Sequence, residues 1–460
     1  MTSLWTADEL MEATGGTLSL PFGATGVSID TRTIQPGDLF VALVGEGRDG
    51  HAFVADALAK GAAGAMVHQD VGVGPVLLVD DTLAALGRLG GFARERFGHG
   101  GGKLVAVTGS VGKTTTKEML RGALSVFGTT HAAFASYNNH WGLPLTLART
   151  PRDARYGIAE IGMNHAGEIA PLSRLARPFV AVITTVAKAH VGHLGSIEAI
   201  ADEKASIVAG LELGGVAVLP ADSDQLARLK AAANSASIML FGTDASADAR
   251  LVAYEADESG SLVRADIAGR LLSFRLNAPG AHMAMNAVAT LAAVAALGLD
   301  PAKALPAIEA FAPLAGRGLR RMVDLPGGTA LLLDESYNGN GASVRAALDV
   351  LRLQAGRRRI AVLGDMLELG AEGPSEHAAL ASAVQASADL LFTCGPLMQN
   401  LFDATPAALR GAHAANSADL APIVAAALRA GDAILVKGSL GSAMKRVIEA
   451  IEVPAVVGAG

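Results

Sequence analysis

The residues with the clearest chemistry lie in LVAVTGSVGKTTTKEML, residues 104–120. Residues 104–107 are an apolar run that reads as a buried strand. Gly109-Ser110-Val111-Gly112 then forms a tight turn after Thr108, and a helix opens at Lys113-Thr114-Thr115. Glycines at 109 and 112 let backbone N–H groups converge on a phosphate. The helix start adds its positive dipole end and Lys113 a point charge. Thr114 would place a hydroxyl on Mg²⁺. The full pattern GxxxxGK[ST] is not met, because its first glycine falls on Val107. The bland alternative is a glycine-rich turn with a solvated lysine. A strand before and a helix after are the context a phosphate loop demands, so the stretch predicts an ATP site.

Further polar groups recur at the ends of apolar runs. Glu160 ends the run 156–161, where a carboxylate beside a phosphate loop can bind Mg²⁺ or hold water; a solvated strand end is the alternative. His190 follows the next run, in TTVAKAH, at the same predicted sheet edge. Lys204 lies in IEAIADEKASIVAGL, a helix by periodicity, and periodicity alone makes it a solvated side chain. In GAHMAMNAVA, His282 and Asn286 stand at i, i+4 and face one way. An amide there could read a nucleobase edge, with a capping histidine and a polar core contact as the alternative.

The elements that must position these groups alternate apolar runs with helical stretches, which predicts an α/β protein. At 460 residues the chain should hold about three domains. Residues 1–82 read as a small α/β domain, 83–313 as a central ATPase-like domain with a mostly parallel sheet, and 314–460 as a Rossmann-like α/β domain. Residues 237–277 alternate differently and predict antiparallel strands appended to the central sheet. The uncharged stretch 277–299 contains Pro279, Gly280, His282 and Asn286 and is rich in alanine, so it predicts a buried helix rather than a membrane span. A net charge of −7 argues against a broad nucleic-acid footprint. The single cysteine, Cys394, excludes an intrachain disulfide, suits a reducing cytosol and reads as a strand residue of no chemical role. The N-terminal MTSLWTADELMEA lacks the pattern of a signal peptide, so the expectation is a cytoplasmic protein, monomeric by default.

Together these segments resemble the Mur ligase family of ATP-dependent amide-forming ligases. TGSVGKTTT is similar to the family's ATP loop, which accounts for the missing first glycine. EIGMNHAGEI, KAHVGHLGS and GAHMAMNAVA fall in the family's order. SIDTRTIQPGDLFVALVGEGRDGH resembles its uridine-nucleotide-binding segment, and implies that Ser28, Asp30, Thr31, Arg32, Asp49, Gly50 and His51 meet substrate. YNNHWGLPLTL, LGDMLELG with His377 following, and LVKGS resemble the branch that joins D-alanyl-D-alanine to UDP-N-acetylmuramoyl-tripeptide.

The resemblance implies further roles. Lys113, Thr114 and Thr115 would cradle the ATP phosphates, and Glu160 and His190 would hold metal. Lys204 would carry a CO₂ adduct, which overturns its solvated reading. Asn286 would contact adenine. Arg317 would reach the phosphate on domain closure. Asp334, Tyr337 and Asn338 would position the nucleotide. Asn138 and Asn139 would meet the muramoyl peptide, with Lys437 and Ser439 also binding substrate. Gly341 stands where the family usually has proline, which implies a looser loop there. The competing readings are a family member adding the third peptide residue, a folylpolyglutamate synthase, which should lack the uridine segment, and a phosphate-loop switch with no amide acceptor.

Overall fold

The computed structural model describes residues 3–45, 47–133, 136–188, 191–233 and 236–452. Three large sheets carry the chain, beside a two-stranded ribbon of Val44–Gly45 and Arg48–Asp49. The first has five strands in the order Thr17–Leu18, Val76–Leu78, Gly64–Val67, Asp38–Val41, Gly26–Ser28, all parallel except the first. The helix Thr82–His99 then leads into the central sheet. It packs on Gly142–Ala148 so closely that a Cβ at Gly90 would lie 2.8 Å from the Pro144 carbonyl oxygen.

The central sheet has nine strands. Five parallel ones, in the order Val216–Pro220, Val180–Ile183, Lys103–Thr108, Tyr156–Glu160, Thr130–Ala132, form its working half. Both faces of the first four are buried, which is why they read as apolar runs, whereas the edge strand Thr130–Ala132 is only partly buried. Val105, Val107, Val180 and Val182 pack on one side, and Leu104, Ala106, Ala181 and Ile183 on the other. The uncharged stretch forms the helix Ala281–Ala296, whose Ala284, Ala287, Val288 and Leu291 are buried in the first of these cores. Among the described residues no helix is long and apolar enough to cross a membrane.

Two expectations need correction. Ser237–Gly242 is not antiparallel: it pairs parallel with Val216–Pro220 and with Ala249–Ala256, and only the strands Ala249–Ala256, Ser261–Ile267 and Arg270–Leu276 alternate in direction. Lys204 is not solvated. It is buried on the helix Ile197–Ala205.

The third sheet runs Leu319–Leu325, Gly328–Glu335, Ala433–Lys437, Arg359–Gly364, Leu390–Cys394, Arg410–Ala414, antiparallel only at its first pair. Cys394 is buried in this sheet, and burial pushes its thiol up to about 12, so it is inert at neutral pH.

Candidate active site

The phosphate loop depends on two glycines. Gly109 has φ +149°, and a Cβ there would lie 1.9 Å from Thr184 Oγ1. Gly112 has φ +87°, and a Cβ would lie 2.5 Å from Asn286 Oδ1. The loop is tied to the neighbouring strand end. Ser110 N–H donates to the Thr185 carbonyl at 2.8 Å, Ser110 Oγ to the Ala187 carbonyl at 2.9 Å, and Thr184 Oγ1 to the Val111 carbonyl at 2.5 Å. The helix Lys113–Ser125 starts directly after it. Its first N–H groups therefore face the carboxyl edge of the sheet, where an anion would sit.

Charges converge here. Lys113 Nζ donates to the Gly109 carbonyl at 2.6 Å. Burial lowers its amine below the ordinary lysine value; Glu160 opposes this and Arg317 adds to it. Lys204 is pushed further down, by burial first and then by Lys113, with only Glu203 opposing. The Glu203 carboxylate also accepts the N–H groups of Gly167 and Ile169 at 2.7 and 2.8 Å and so clamps the loop after Glu160. Glu160 is buried; it accepts from Thr114 Oγ1 at 2.9 Å and from Asn138 Nδ2 at 2.8 Å.

The facing wall comes from the C-terminal unit. Arg317 stacks over the Tyr337 ring, 4.1 Å from its centroid, and donates to Ser136 Oγ at 3.1 Å. Ser136 in turn lies 3.2 Å from Thr114 Oγ1. Lys437 is buried, 2.9 Å from the Asn338 carbonyl oxygen and 3.4 Å from Glu335. Between the walls lies a cavity of about 410 Å³, lined among others by Lys113, Thr115, Glu160, Asn286, Arg317 and Lys437.

Not every expected residue faces this cavity. Thr114 and Lys204 lie behind its wall. The Thr108 hydroxyl is buried and has no partner among the described residues. Asp334 accepts the Gly316 N–H with one oxygen and the Ser336 hydroxyl with the other, so it shapes the turn that holds Arg317. Its neighbour Glu335 lines the cavity instead. Asn139 accepts the Gly142 N–H at the start of its helix and also reaches the wall. Ser439 ties loops together: it accepts the Leu367 N–H and donates to the Gly339 carbonyl. Asn340 and Ser343 form a capping box on the helix Gly341–Arg352, so glycine in place of proline leaves that helix start intact. His190 lies outside the described residues.

In the first unit, Asp30 grips Arg32 through both carboxylate oxygens and Ser28 Oγ donates to the Asp30 carbonyl, while Thr31 is partly buried and its carbonyl accepts Lys60 Nζ. His51 is a clasp. Its Nδ1–H donates to Asp49 at 2.6 Å, and its Nε2 accepts the His68 N–H at 3.2 Å. Gly50 fits because a Cβ would lie 2.6 Å from the Leu43 carbonyl oxygen. Sequence reasoning missed Ser136 and Glu335; both stand beside residues it had singled out, Asn138 and Asp334.

Three sequence profiles match the chain: "Mur ligase family, catalytic domain" over residues 24–84, "Mur ligase middle domain" over 107–294, and "Mur ligase, glutamate ligase domain" over 321–440. The UDP-N-acetylmuramoyl-tripeptide–D-alanyl-D-alanine ligase of Synechocystis sp. is 35% identical over 92% of this chain and 90% of its own length. The chain belongs to the Mur ligase family. The Bacillus subtilis ligase of the same name is 33% identical over 96% and 97% of the two chains. Among solved structures, MurF from Acinetobacter baumannii is similar with a TM-score of 0.86 at 30% identity, covering 97% of this chain and 98% of that one. MurF from Thermotoga maritima in complex with ADP gives 0.77 at 26% identity, covering 93% and 97%.

The family uses ATP, and the residues present fit a hard cation beside it. Among the described residues no group of three or more His, Cys, Asp or Glu side chains is placed to hold a metal. The buried Glu160 carboxylate and the hydroxyls of Thr114 and Ser136 nevertheless form an all-oxygen set of the kind Mg²⁺ prefers when phosphates and water complete its shell.

Proposed function

We propose that this protein joins D-alanyl-D-alanine to UDP-N-acetylmuramoyl-tripeptide with ATP, releasing ADP and phosphate. One observation carries the reading. Lys113 and Arg317 stand beside the buried carboxylate of Glu160 in a cleft whose wall is a phosphate loop, and Lys204 lies behind Lys113. An excess of buried positive charge in such a cleft suits a triphosphate.

A carboxylate is a poor electrophile, because its leaving group would be oxide. The substrate's terminal carboxylate attacks the γ-phosphorus and ADP leaves, giving an acyl phosphate. The amine of D-alanyl-D-alanine then attacks the carbonyl carbon, phosphate departs, the nitrogen loses a proton, and an amide remains. Lys113 and the N–H groups at the helix start hold the transferring phosphoryl group. Arg317, held flat on Tyr337, offsets its charge from the opposite wall. Glu160 and Thr114 would hold Mg²⁺, which would neutralise phosphate oxygens when bound. Asn286 faces the loop from the helix Ala281–Ala296 and takes the adenine side. Lys204, whose pKa burial lowers, suits addition to CO₂: the ammonium gives up a proton, the neutral amine's lone pair forms the N–C bond, and a second proton leaves the nitrogen to give a carbamate anion. The three units divide the work: residues 1–82 take the uridine end, 83–313 the ATP, and 314–460 the acceptor dipeptide and the closing arginine.

The test is phosphate release by the purified protein with Mg²⁺, ATP and UDP-muramoyl-tripeptide, with and without D-alanyl-D-alanine. Release that requires both substrates, with a new pentapeptide mass, is expected. Release driven by a free amino acid on the muramoyl dipeptide would move the assignment to the ligase adding the third residue. Release indifferent to acceptor would sink the ligase reading.

A further inference from the structure

Lys188 lies five residues beyond the end of the strand Val180–Ile183, on the central unit. Its ammonium stands 2.8 Å from Glu372 Oε2 and 3.0 Å from Glu376 Oε1, both on the C-terminal unit. These hydrogen bonds hold the Lys188 ammonium above its ordinary value. The two glutamates are four residues apart, across the turn Gly370–Glu372 and the helix Gly373–Ala378. Like charges at that spacing repel when no cation lies between them. Opening the cleft would therefore expose an unneutralised acidic pair as well as a free lysine.

The same patch makes a backbone contact. Gly192 N–H donates to the Glu368 carbonyl at 2.9 Å. A Cβ on Gly192 would lie 3.0 Å from both that oxygen and Gly370 N. The loop that receives these contacts is tied down by hydrogen bonds. Met366 N–H donates to His377 Nε2 and Leu367 N–H to Ser439 Oγ, and Ser439 Oγ donates to the Gly339 carbonyl, beside the cavity-lining Asn338 and Asn340. A second contact between the units lies beside the chain crossing. There Arg320 donates to the carbonyls of Glu258 and Ser259, only three residues after Arg317. The Lys188 patch involves residues some fifty positions further along, so it is not held together by the connection itself.

We propose that Lys188, with Glu372 and Glu376, is a latch that closes the C-terminal unit over the phosphate cleft. Lys188 is thus a positioning residue for amide formation, a role that rests on the ligase reading above. The latch residues are about half exposed, or less for Glu376, so salt screens them and each pair is weak alone.

The test uses the full chain. Lys188→Ala should lower turnover roughly three- to ten-fold and raise KM for D-alanyl-D-alanine, with KM for ATP changed less, as expected for losing two exposed ion pairs. Raising NaCl should slow the wild type toward the variant and leave the variant nearly unmoved. Charge reversal, Lys188→Glu with Glu372→Lys and Glu376→Lys, should restore most of the loss. Gly192→Ala, a steric wedge in the same patch, should mimic Lys188→Ala and likewise weaken the response to salt. X-ray scattering of the substrate-free protein should give a larger radius of gyration for Lys188→Ala than for wild type. Equal scattering, or no rescue on charge reversal, would overturn the latch. Scattering needs no turnover, so a wild type without acceptor-dependent phosphate release would sink the ligase reading and leave the latch to be judged by its shape change alone.

Discussion

Gly112→Ala tests whether the phosphate loop works by the geometry described. Gly112 sits at φ +87° and ψ −9°, a left-handed conformation that costs an L-residue about 1–2 kcal/mol. A methyl group there would also lie 2.5 Å from Asn286 Oδ1. Contact needs more than 3 Å, so Asn286 must turn away or the loop must shift. Asn286 is buried, so its turning adds roughly 1 kcal/mol, of the order of an off-rotamer side chain. The expected destabilisation is about 2–3 kcal/mol in urea unfolding. A shift of the loop near 1 Å should cost about 10² in ATP-dependent turnover. The decisive assay is a cycle with Asn286→Ala. That change removes the obstructing oxygen but not the backbone cost, so Gly112→Ala should cost only about 1–2 kcal/mol in its background. An identical cost in both backgrounds would refute the clash, and an unaltered KM for ATP in Gly112→Ala would refute the loop's role.

Arg317→Lys keeps a charge but loses the flat stack on Tyr337 and the forked donor set; turnover should fall about 10² in steady-state kinetics, and retention of more than a tenth would count against the arginine's role. Glu160→Gln removes the buried carboxylate that faces Lys113 and should cost at least about 10² in turnover while raising the Mg²⁺ concentration needed for half-maximal rate, read by Mg²⁺ titration. His377 is a buried neutral clasp, its Nδ1–H donating to the Gly373 carbonyl and its Nε2 accepting the Met366 N–H, and burial lowers its pKa below the ordinary histidine value. The unfolded chain therefore binds the extra proton first, so stability is full above the ordinary histidine pKa and falls as pH drops through it toward the lowered native value. Unfolding by urea between pH 8 and 5 should show a shallower loss in His377→Gln than in wild type, and parallel curves would contradict the clasp.

How much of this was legible follows from which forces act locally. The strands around Lys113 were readable because a sheet buried on both faces needs unbroken apolar runs, and the phosphate loop because positive φ selects glycine. Strand direction was not readable. Ser237–Gly242 resembles its antiparallel neighbours in composition, and only its partners decide that it runs parallel. Lys204 was misread by periodicity because one helix cannot reveal what covers its charged positions. Here Glu203, the adjacent residue, pins the loop 167–169 over the helix. DESYN showed that polar groups end a strand, but which of them faces the cavity depends on parity. Glu335 pairs with Lys437 across the sheet and both line the cavity, whereas Asp334, one residue earlier, points to the other side and serves the Gly316 turn.

The net charge of −7 and the positive cleft act at different ranges. The Debye length is about 8 Å at physiological ionic strength, so the overall negative charge hardly reaches a triphosphate already inside the cleft. There the neighbours are Lys113, Arg317 and the helix start, with Lys204 behind them; Glu160 opposes Lys113 and Glu203 opposes Lys204. Burial lowers both lysines first; Arg317 lowers Lys113 further, and Lys113 in turn lowers Lys204. An entering triphosphate reverses that balance: it raises the proton affinity of each amine as it binds. Such a response to phosphate requires the groups to be buried together rather than spread over an acidic surface.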